Sequence, residues 1–369
     1  MPNRLQQLHD AGVSIWLDFI ERTMLHNGDL DRRVREDALT GMTSNPTIFE
    51  KALAEGNGYD AQLRDAGDLT PMQLFELVAT TDVRDACDAF RGVYERTNGD
   101  DGYVSIEVSP GAAHDAKATV EEARRLWNTV DRPNLFVKVP GTVEGADAVR
   151  QLIAAGININ ITLLFALEAH DRVIDAYMSG LEERVRKGQP IDRIASVASF
   201  FVSRVDTEVD KRLDGQPGGG QREASTLKGK AAIANAKLAY QLFLERFSSA
   251  RWKALETKGA RVQKPLWAST STKNPAYRDV MYAEQLIGPR SINTLPPQTI
   301  EAFREHGEVR RTVDENVDEA RRVIAQLEGI GISIKDVTDK LLVDGLASFQ
   351  KSFDSLLAGI AKKRELVAR

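Results

Sequence analysis

Eight short apolar runs recur along the chain, and most are followed by a stretch whose apolar residues fall at helical spacing. They are Val13–Asp18, Gly41–Pro46, Gly102–Val108, Leu135–Val139, Ile157–Thr162, Ile194–Ser199, Lys264–Ser269 and the weaker Ser291–Thr294. Each has the length of a strand and most are rich in Val, Ile and Leu; polar or turn-forming residues close them. A short helix leads the chain, a charge-rich helical stretch reaches about Leu39, and Thr47–Ala54 begins another helix. Thr70-Pro71 offers an N-cap with proline at the first helical position, and helical spacing continues to about Arg96. Further helices are predicted over His114–Trp127, Thr142–Ala155 with Gly156 closing it, Leu164–Tyr177 and Ser179–Lys187.

Strands that alternate with helices imply a parallel sheet in an α/β protein. Eight such units favour a closed (β/α)8 TIM-type barrel over an open doubly wound sheet. The chain exceeds the roughly 250 residues of a plain barrel. A helical insertion after strand six, Val205–Arg261, absorbs part of the excess and is interrupted by a glycine-rich loop at Gly215–Gly220. The rest is a tail from Asp336, with Leu342, Leu346, Phe349, Phe353, Leu356 and Ile360 at helical spacing, which predicts an extra amphipathic C-terminal helix. No repeat or linker divides the sequence, so residues 1–369 read as a single domain.

Hydrophobic residues make up 42% of the chain and charged residues 28%, the balance of a globular protein with a sizeable core. A net charge of -5 gives no broad basic field, which argues against nucleic acid as a partner while leaving room for a local cationic pocket. No stretch approaches the ~20 apolar residues that cross a bilayer, and the leading residues are polar, so a cytoplasmic protein without a membrane partner is expected. Cys87 is the only cysteine, which excludes an intrachain disulfide and a thiolate metal cluster. The histidines are scattered without zinc-ligand spacing, and no Walker or dinucleotide glycine pattern occurs.

A barrel carries its chemistry at the C-terminal ends of its strands. The polar residues there are Asp18, Asn45, Glu107, Lys138, Asn160, Thr162 and Ser199. One such residue is ordinarily a turn or cap residue; the whole set, on strands otherwise apolar, points to a site. Lys138 stands out, because it lies within Leu135-Phe136-Val137-Lys138-Val139-Pro140-Gly141, a run that reads as a buried strand. A lysine in water has a pKa near ~10.4. Desolvation or nearby cations lower that value and yield an amine able to form a Schiff base with a carbonyl. Imine formation needs acid–base help, and cleavage of a neighbouring carbon–carbon bond needs a base for a hydroxyl proton; Asp18 and Glu107 can divide those duties. Asn45 and Asn160 supply amides that can fix polyol hydroxyls. Arg204 and Lys273 follow strands six and seven, near the usual phosphate position of a barrel. Lys273 taken alone reads more readily as a solvated loop cation.

With these residues in place the chain resembles the transaldolase family over nearly its whole length. Gly41-Met42-Thr43-Ser44-Asn45-Pro46-Thr47-Ile48-Phe49 resembles that family's Thr-Ser/Thr-Asn-Pro signature, and Phe136-Val137-Lys138-Val139-Pro140 its lysine signature. Asn160-Ile161-Thr162-Leu163-Leu164-Phe165 and Ser199-Phe200-Phe201-Val202-Ser203-Arg204 are similar to its strand-five and strand-six motifs. The resemblance implies that Lys138 attacks the C2 ketone of a ketose phosphate such as sedoheptulose 7-phosphate or fructose 6-phosphate. Asp18 would take the C4 hydroxyl proton, and Glu107 with Thr162, through a water, would move protons as the imine forms and hydrolyses. Asn45, Asn160 and Ser199 would hold the dihydroxyacetone hydroxyls, Phe201 would wall the pocket, and Arg204 would hold the phosphate. It implies sugar phosphates as ligands and no metal or organic cofactor; a homodimer is compatible with it.

Two features depart from the common pattern. Many members have arginine after strand seven, where this chain offers Lys273, and the insertion is longer than in short members. A neighbouring activity is aldol cleavage that releases free dihydroxyacetone. Relatives with that activity carry Gln where Glu107 stands and Tyr where Phe201 stands, which favours transfer. A barrel that binds sugar phosphates without catalysis is the remaining alternative, and the intact Lys138, Asp18 and Glu107 argue against it.

Overall fold

The computed structural model describes residues 3–54, 57–216 and 221–367. Eight parallel strands close into a barrel in sequential order: β1 (Val13–Asp18), β2 (Leu39–Thr43), β3 (Val104–Glu107), β4 (Leu135–Pro140), β5 (Ile159–Leu164), β6 (Ser196–Phe201), β7 (Lys264–Ala268) and β8 (Ser291–Leu295). Helices follow the strands and cover them from outside, so the strands are buried on both faces, as their unbroken apolar character demands.

Two strands are displaced from their sequence-based bounds. β2 begins at Leu39 and ends at Thr43, because Asn45 turns away from the sheet and accepts a hydrogen bond from Ile48 N at 3.0 Å, opening the helix Pro46–Ala54. β6 starts two residues later than Ile194 and runs on through Phe200 and Phe201. The helix Leu167–Arg186 is continuous, whereas the sequence suggests a break before Ser179. Gly180 serves there as a contact point: a Cβ on it would lie 2.7 Å from Ile153 Cβ, so its small size lets this helix press against Val143–Ala155. The expected caps form: Thr142 accepts from Gly145 N at 2.9 Å, Gly156 closes that helix at φ +90°, and Thr70 and Gln73 form a capping box.

Inside the barrel, the end nearer the strand N-termini is filled with aromatics. The Phe136 ring stacks on Tyr103 with centroids 4.2 Å apart and lies 6.0 Å from Trp16. Gly41 of β2 makes room for Trp16, since a Cβ there would sit 2.6 Å from the indole. The indole nitrogen donates to Asp101 at 2.9 Å, so this floor is both packed and satisfied. The polar residues therefore lie one layer higher, towards the mouth.

The insertion after β6 is helical, with Ser203–Asp214, Gln221–Leu227, Ala231–Arg246 and Ala250–Glu256. Of its glycine-rich loop, residues 217–220 lie outside the described residues. The tail forms one helix, Ile334–Val367, which packs on Pro46–Ala54, Pro71–Ala89 and Ser203–Asp214. Its buried face holds Phe349, Phe353, Leu356 and Ile360 as expected; further up, Leu341 and Gly345 are buried and the predicted Leu342 and Leu346 lie at its margin. Phe353 meets Phe75 edge-on at 5.4 Å, and Phe75 meets Phe49 likewise at 5.7 Å, which ties the tail to the helix after β2. Among the described residues no helix is long and apolar enough to cross a membrane.

Candidate active site

Strand register assembles the centre of the site. Glu107 pairs with Lys138 across β3 and β4, and Lys138 with Asn160 across β4 and β5, so the lysine is flanked by a carboxylate and an amide. Lys138 is 5% exposed, and its Nζ lies 2.9 Å from Glu107 Oε2 while donating to Ser44 O at 3.0 Å. The burial expected from the sequence is present, but the immediate neighbour is an anion rather than a cation. Burial pushes the Glu107 carboxyl above the usual carboxylate range, against the pull of the Lys138 charge. Glu107 is the carboxyl placed across this short contact to exchange a proton with the amine.

Asp18, at the end of β1, faces the same cavity. Its Oδ1 accepts from Thr43 Oγ1 at 2.8 Å, and Thr43 Oγ1 is 2.7 Å from Thr294 Oγ1. Desolvation raises its pKa, opposed first by Lys138 and then by the Thr43 hydrogen bond, Lys273 and Arg204. Asp18 on the cavity surface and Glu107 beside Lys138 are thus two carboxyls with raised proton affinity, which suits a pair of proton carriers.

The neutral polar residues divide into two layers. Asn45 uses its carbonyl oxygen on Ile48 N, and its amide nitrogen has no hydrogen-bond partner among the described residues. Asn160 lies behind the wall: its Nδ2 donates to Ser105 Oγ at 3.0 Å and its Oδ1 accepts from Ser199 Oγ at 2.7 Å. With its proton committed to Asn160, Ser199 presents lone pairs to the cavity. Asn160 therefore orients Ser199 and is not itself on the cavity surface. Thr162 lines the cavity with a buried hydroxyl that has no hydrogen-bond partner among the described residues. The residue after it, Leu163, is held at φ 58°, where the β5–β6 register also shifts.

Above this floor the cavity, about 460 Å³, turns cationic. Arg204 stands in the first turn of Ser203–Asp214, rather than in a loop, with its Cζ 5.2 Å from the Phe201 ring centroid and 5.9 Å from that of Phe349. Its guanidinium forms no hydrogen bond or ion pair with any described residue, and burial lowers its pKa. A largely buried cation stacked between two rings but left without an anion is poised for one. Lys273 joins it from the segment after β7, its Nζ donating to Ser271 Oγ at 2.8 Å.

Several cavity residues escape the sequence-based reading: Thr43, Thr294, Gln298, Phe349 and Lys51. Thr43 lies inside the Thr-Ser-Asn-Pro run, the one sequence signal that marks it. Phe349 is one of many apolar residues on the tail helix, and nothing in its spacing separates a core position from a roof over Arg204. Among the described residues no three His, Cys, Asp or Glu side chains gather in a way that could hold a metal ion.

A family model described as transaldolase/fructose-6-phosphate aldolase matches residues 15–360. A transaldolase from Frankia alni is 48% identical over 98% of this chain and 98% of its own length. A transaldolase from Thermobifida fusca is also 48% identical, over 98% of this chain and 99% of its own. The protein called transaldolase 2 in Nostoc is 45% identical over 99% of each chain.

Proposed function

The chain belongs to the transaldolase/fructose-6-phosphate aldolase family, and we propose that it is a transaldolase of the pentose phosphate pathway that works through a Schiff base on Lys138. The observation that carries this reading is a buried amine 2.9 Å from Glu107, on the floor of a cavity that also holds Asp18 and an unpaired arginine. A cytoplasmic setting belongs to the same proposal and fits the free, buried Cys87.

The donor is a ketose phosphate, sedoheptulose 7-phosphate or fructose 6-phosphate. Lys138 passes a proton to Glu107, and its lone pair adds to the C2 carbonyl. Glu107 then returns a proton to the departing hydroxyl, so water leaves and the protonated imine remains; the Thr162 hydroxyl is placed to hold that water. Asp18 takes the C4 hydroxyl proton. The C3–C4 bond breaks, its electron pair is drawn towards the imine nitrogen, and an aldose phosphate departs. The three-carbon enamine stays on Lys138 while Asn45 and Ser199 hold its hydroxyls. Attack of its carbon on the aldehyde of glyceraldehyde 3-phosphate or erythrose 4-phosphate reverses these steps; Asp18 returns its proton to the new alkoxide, and hydrolysis frees the amine.

Arg204 and Lys273 anchor the phosphate of donor and acceptor in turn, so both reactants place their reacting carbon at the same height above Lys138. A sugar phosphate brings about -1.5 to -2 charges at neutral pH, which the unpaired guanidinium can meet bidentately. Transfer and simple release differ only in what captures the enamine. Product analysis with fructose 6-phosphate, with and without erythrose 4-phosphate, tests the choice. Sedoheptulose 7-phosphate formed only with the acceptor, and little free dihydroxyacetone without it, is expected; free dihydroxyacetone at equal rates in both reactions would favour release.

A further inference from the structure

Arg204 and Lys273 are not the only cations at the cavity. Lys51 lies on the helix Pro46–Ala54, nearly two turns beyond Asn45, and lines the same cavity. It is an exposed residue, and it makes no hydrogen bond or ion pair with any described residue. Its charge also helps to depress the pKa of Lys273, together with desolvation and Arg204, which places the two ammonium groups within each other's field. In a closed barrel of eight strands, β2 stands across from β6. Lys51 therefore approaches from the wall opposite the one that carries Arg204. The helix that bears it is fixed at both ends: Asn45 caps its start, where Thr47 Oγ1 also donates to Ser352 Oγ of the tail helix at 2.9 Å, and Lys363 Nζ of the tail helix donates to Leu53 O at 3.0 Å near its close.

Arg204, Lys273 and Lys51 face one cavity with no carboxylate within ion-pair distance among the described residues; Asp18 attracts Lys273 and Arg204 from farther off, as Glu107 does Arg204, while the cations repel one another. That arrangement is costly unless an anion of more than one charge occupies the space between them. A phosphate monoester is the anion of that size and charge which the site's chemistry requires.

We propose that Lys51 is a third phosphate-binding side chain, gripping the substrate phosphate from the β2 side and setting the preference for phosphorylated over unphosphorylated sugars. Like Lys273 it is a point charge without a fork, and it adds its charge on the β2 side of the mouth. Its role is in binding alone, since it lies on the wall above the reacting carbons. The inference rests on the proposed function only for the identity of the phosphate's owner.

The test uses the full-length protein and the variants K51A and K51R. Inorganic phosphate is the first probe, its Kd read from thermal shift, because that measurement needs no turnover. An exposed ammonium contributes at the lower end of the range for charge-assisted contacts, so K51A should weaken phosphate binding about five- to tenfold. The same variant should raise KM for fructose 6-phosphate by a similar factor, with kcat within about twofold. Turnover of unphosphorylated fructose should not change, and K51R should restore most of both losses. Phosphate affinity and KM in K51A equal to those of the unaltered protein would overturn the proposal and leave Lys51 a solvated cation. Phosphate binding that depends on Lys51 in a protein that does not turn over fructose 6-phosphate would sustain this site while sinking the transaldolase reading.

Discussion

Replacing Arg204 with methionine separates what this side chain does for binding from what it does to stability, and the two should move in opposite directions. Methionine keeps a long unbranched stem between Phe201 and Phe349, whose ring centroids lie 5.2 and 5.9 Å from the Arg204 Cζ. The cation–π attraction it removes, about 0.5–2 kcal/mol, is partly replaced by sulfur–aromatic contact of about 0.3–1.5 kcal/mol. It also removes a largely buried charge that no described residue neutralises, which relieves a desolvation cost. The ligand-free variant should therefore be as stable as the parent or slightly more so. A gain of about 1 kcal/mol would appear as a Tm rise of roughly 1–2 °C in a protein of this size. Binding loses two charge-assisted hydrogen bonds, each worth about 1.5–3 kcal/mol. With Lys273 and Lys51 still present the lower half of that range applies, so kcat/KM for fructose 6-phosphate should fall about 10²- to 10³-fold. Thermal unfolding with and without inorganic phosphate, beside steady-state kinetics, reads both effects. Phosphate should raise the Tm of the parent and shift that of R204M much less at the same concentration. A ligand-free R204M that melts several degrees lower while keeping its KM would refute the reasoning, since Arg204 would then be a structural residue.

Thr43→Val removes the hydroxyl that donates to Asp18 Oδ1 and favours its carboxylate, so the Asp18 pKa should rise further. The acid limb of the kcat/KM profile should move to higher pH in T43V; a limb that stays in place would show that Asp18 is not the base reported there. Asp206, buried in the first turn of Ser203–Asp214, accepts from Ala232 N at 2.8 Å and Tyr282 OH at 2.9 Å, and burial pushes its pKa up to about 7. Because that value lies above the ~3.9 of an unfolded aspartate, the stability it contributes is complete below about pH 4 and is lost as the pH rises through 7. Asp206→Asn should therefore flatten the fall in Tm between pH 5 and 8; parallel curves for the two proteins would contradict the assignment.

The barrel was legible because strands buried on both faces must be apolar, and here each ends on a polar group that has no place in the core. Asp18, Glu107 and Lys138 broke the apolar pattern and could be found by that break alone. Strand ends were less legible. Ser44-Asn45-Pro46 reads as the close of a strand, whereas Asn45 already belongs to the cap of the next helix. The helical spacing reads as two helices with a break before Ser179, whereas one helix runs through, with Gly180 placed where a Cβ would lie 2.7 Å from Ile153 of the neighbouring helix. Asn160 was expected on the cavity surface; only the three-dimensional arrangement shows that Ser105 and Ser199 already occupy both ends of its amide. Lys51 and Phe349 come from outside the strand ends, one from a helix across the mouth and one from the tail. No local pattern marks such residues, because their role depends on which elements the closed barrel brings together.

The central claim concerns one nitrogen. The most direct measurement is borohydride reduction of the protein in the presence of fructose 6-phosphate, followed by peptide mass spectrometry. A reduced three-carbon adduct on Lys138, absent from Lys138→Ala, is the result that the buried amine beside Glu107 predicts. A protein that turns over the sugar phosphate yet carries no adduct, or carries it on another lysine, would contradict it.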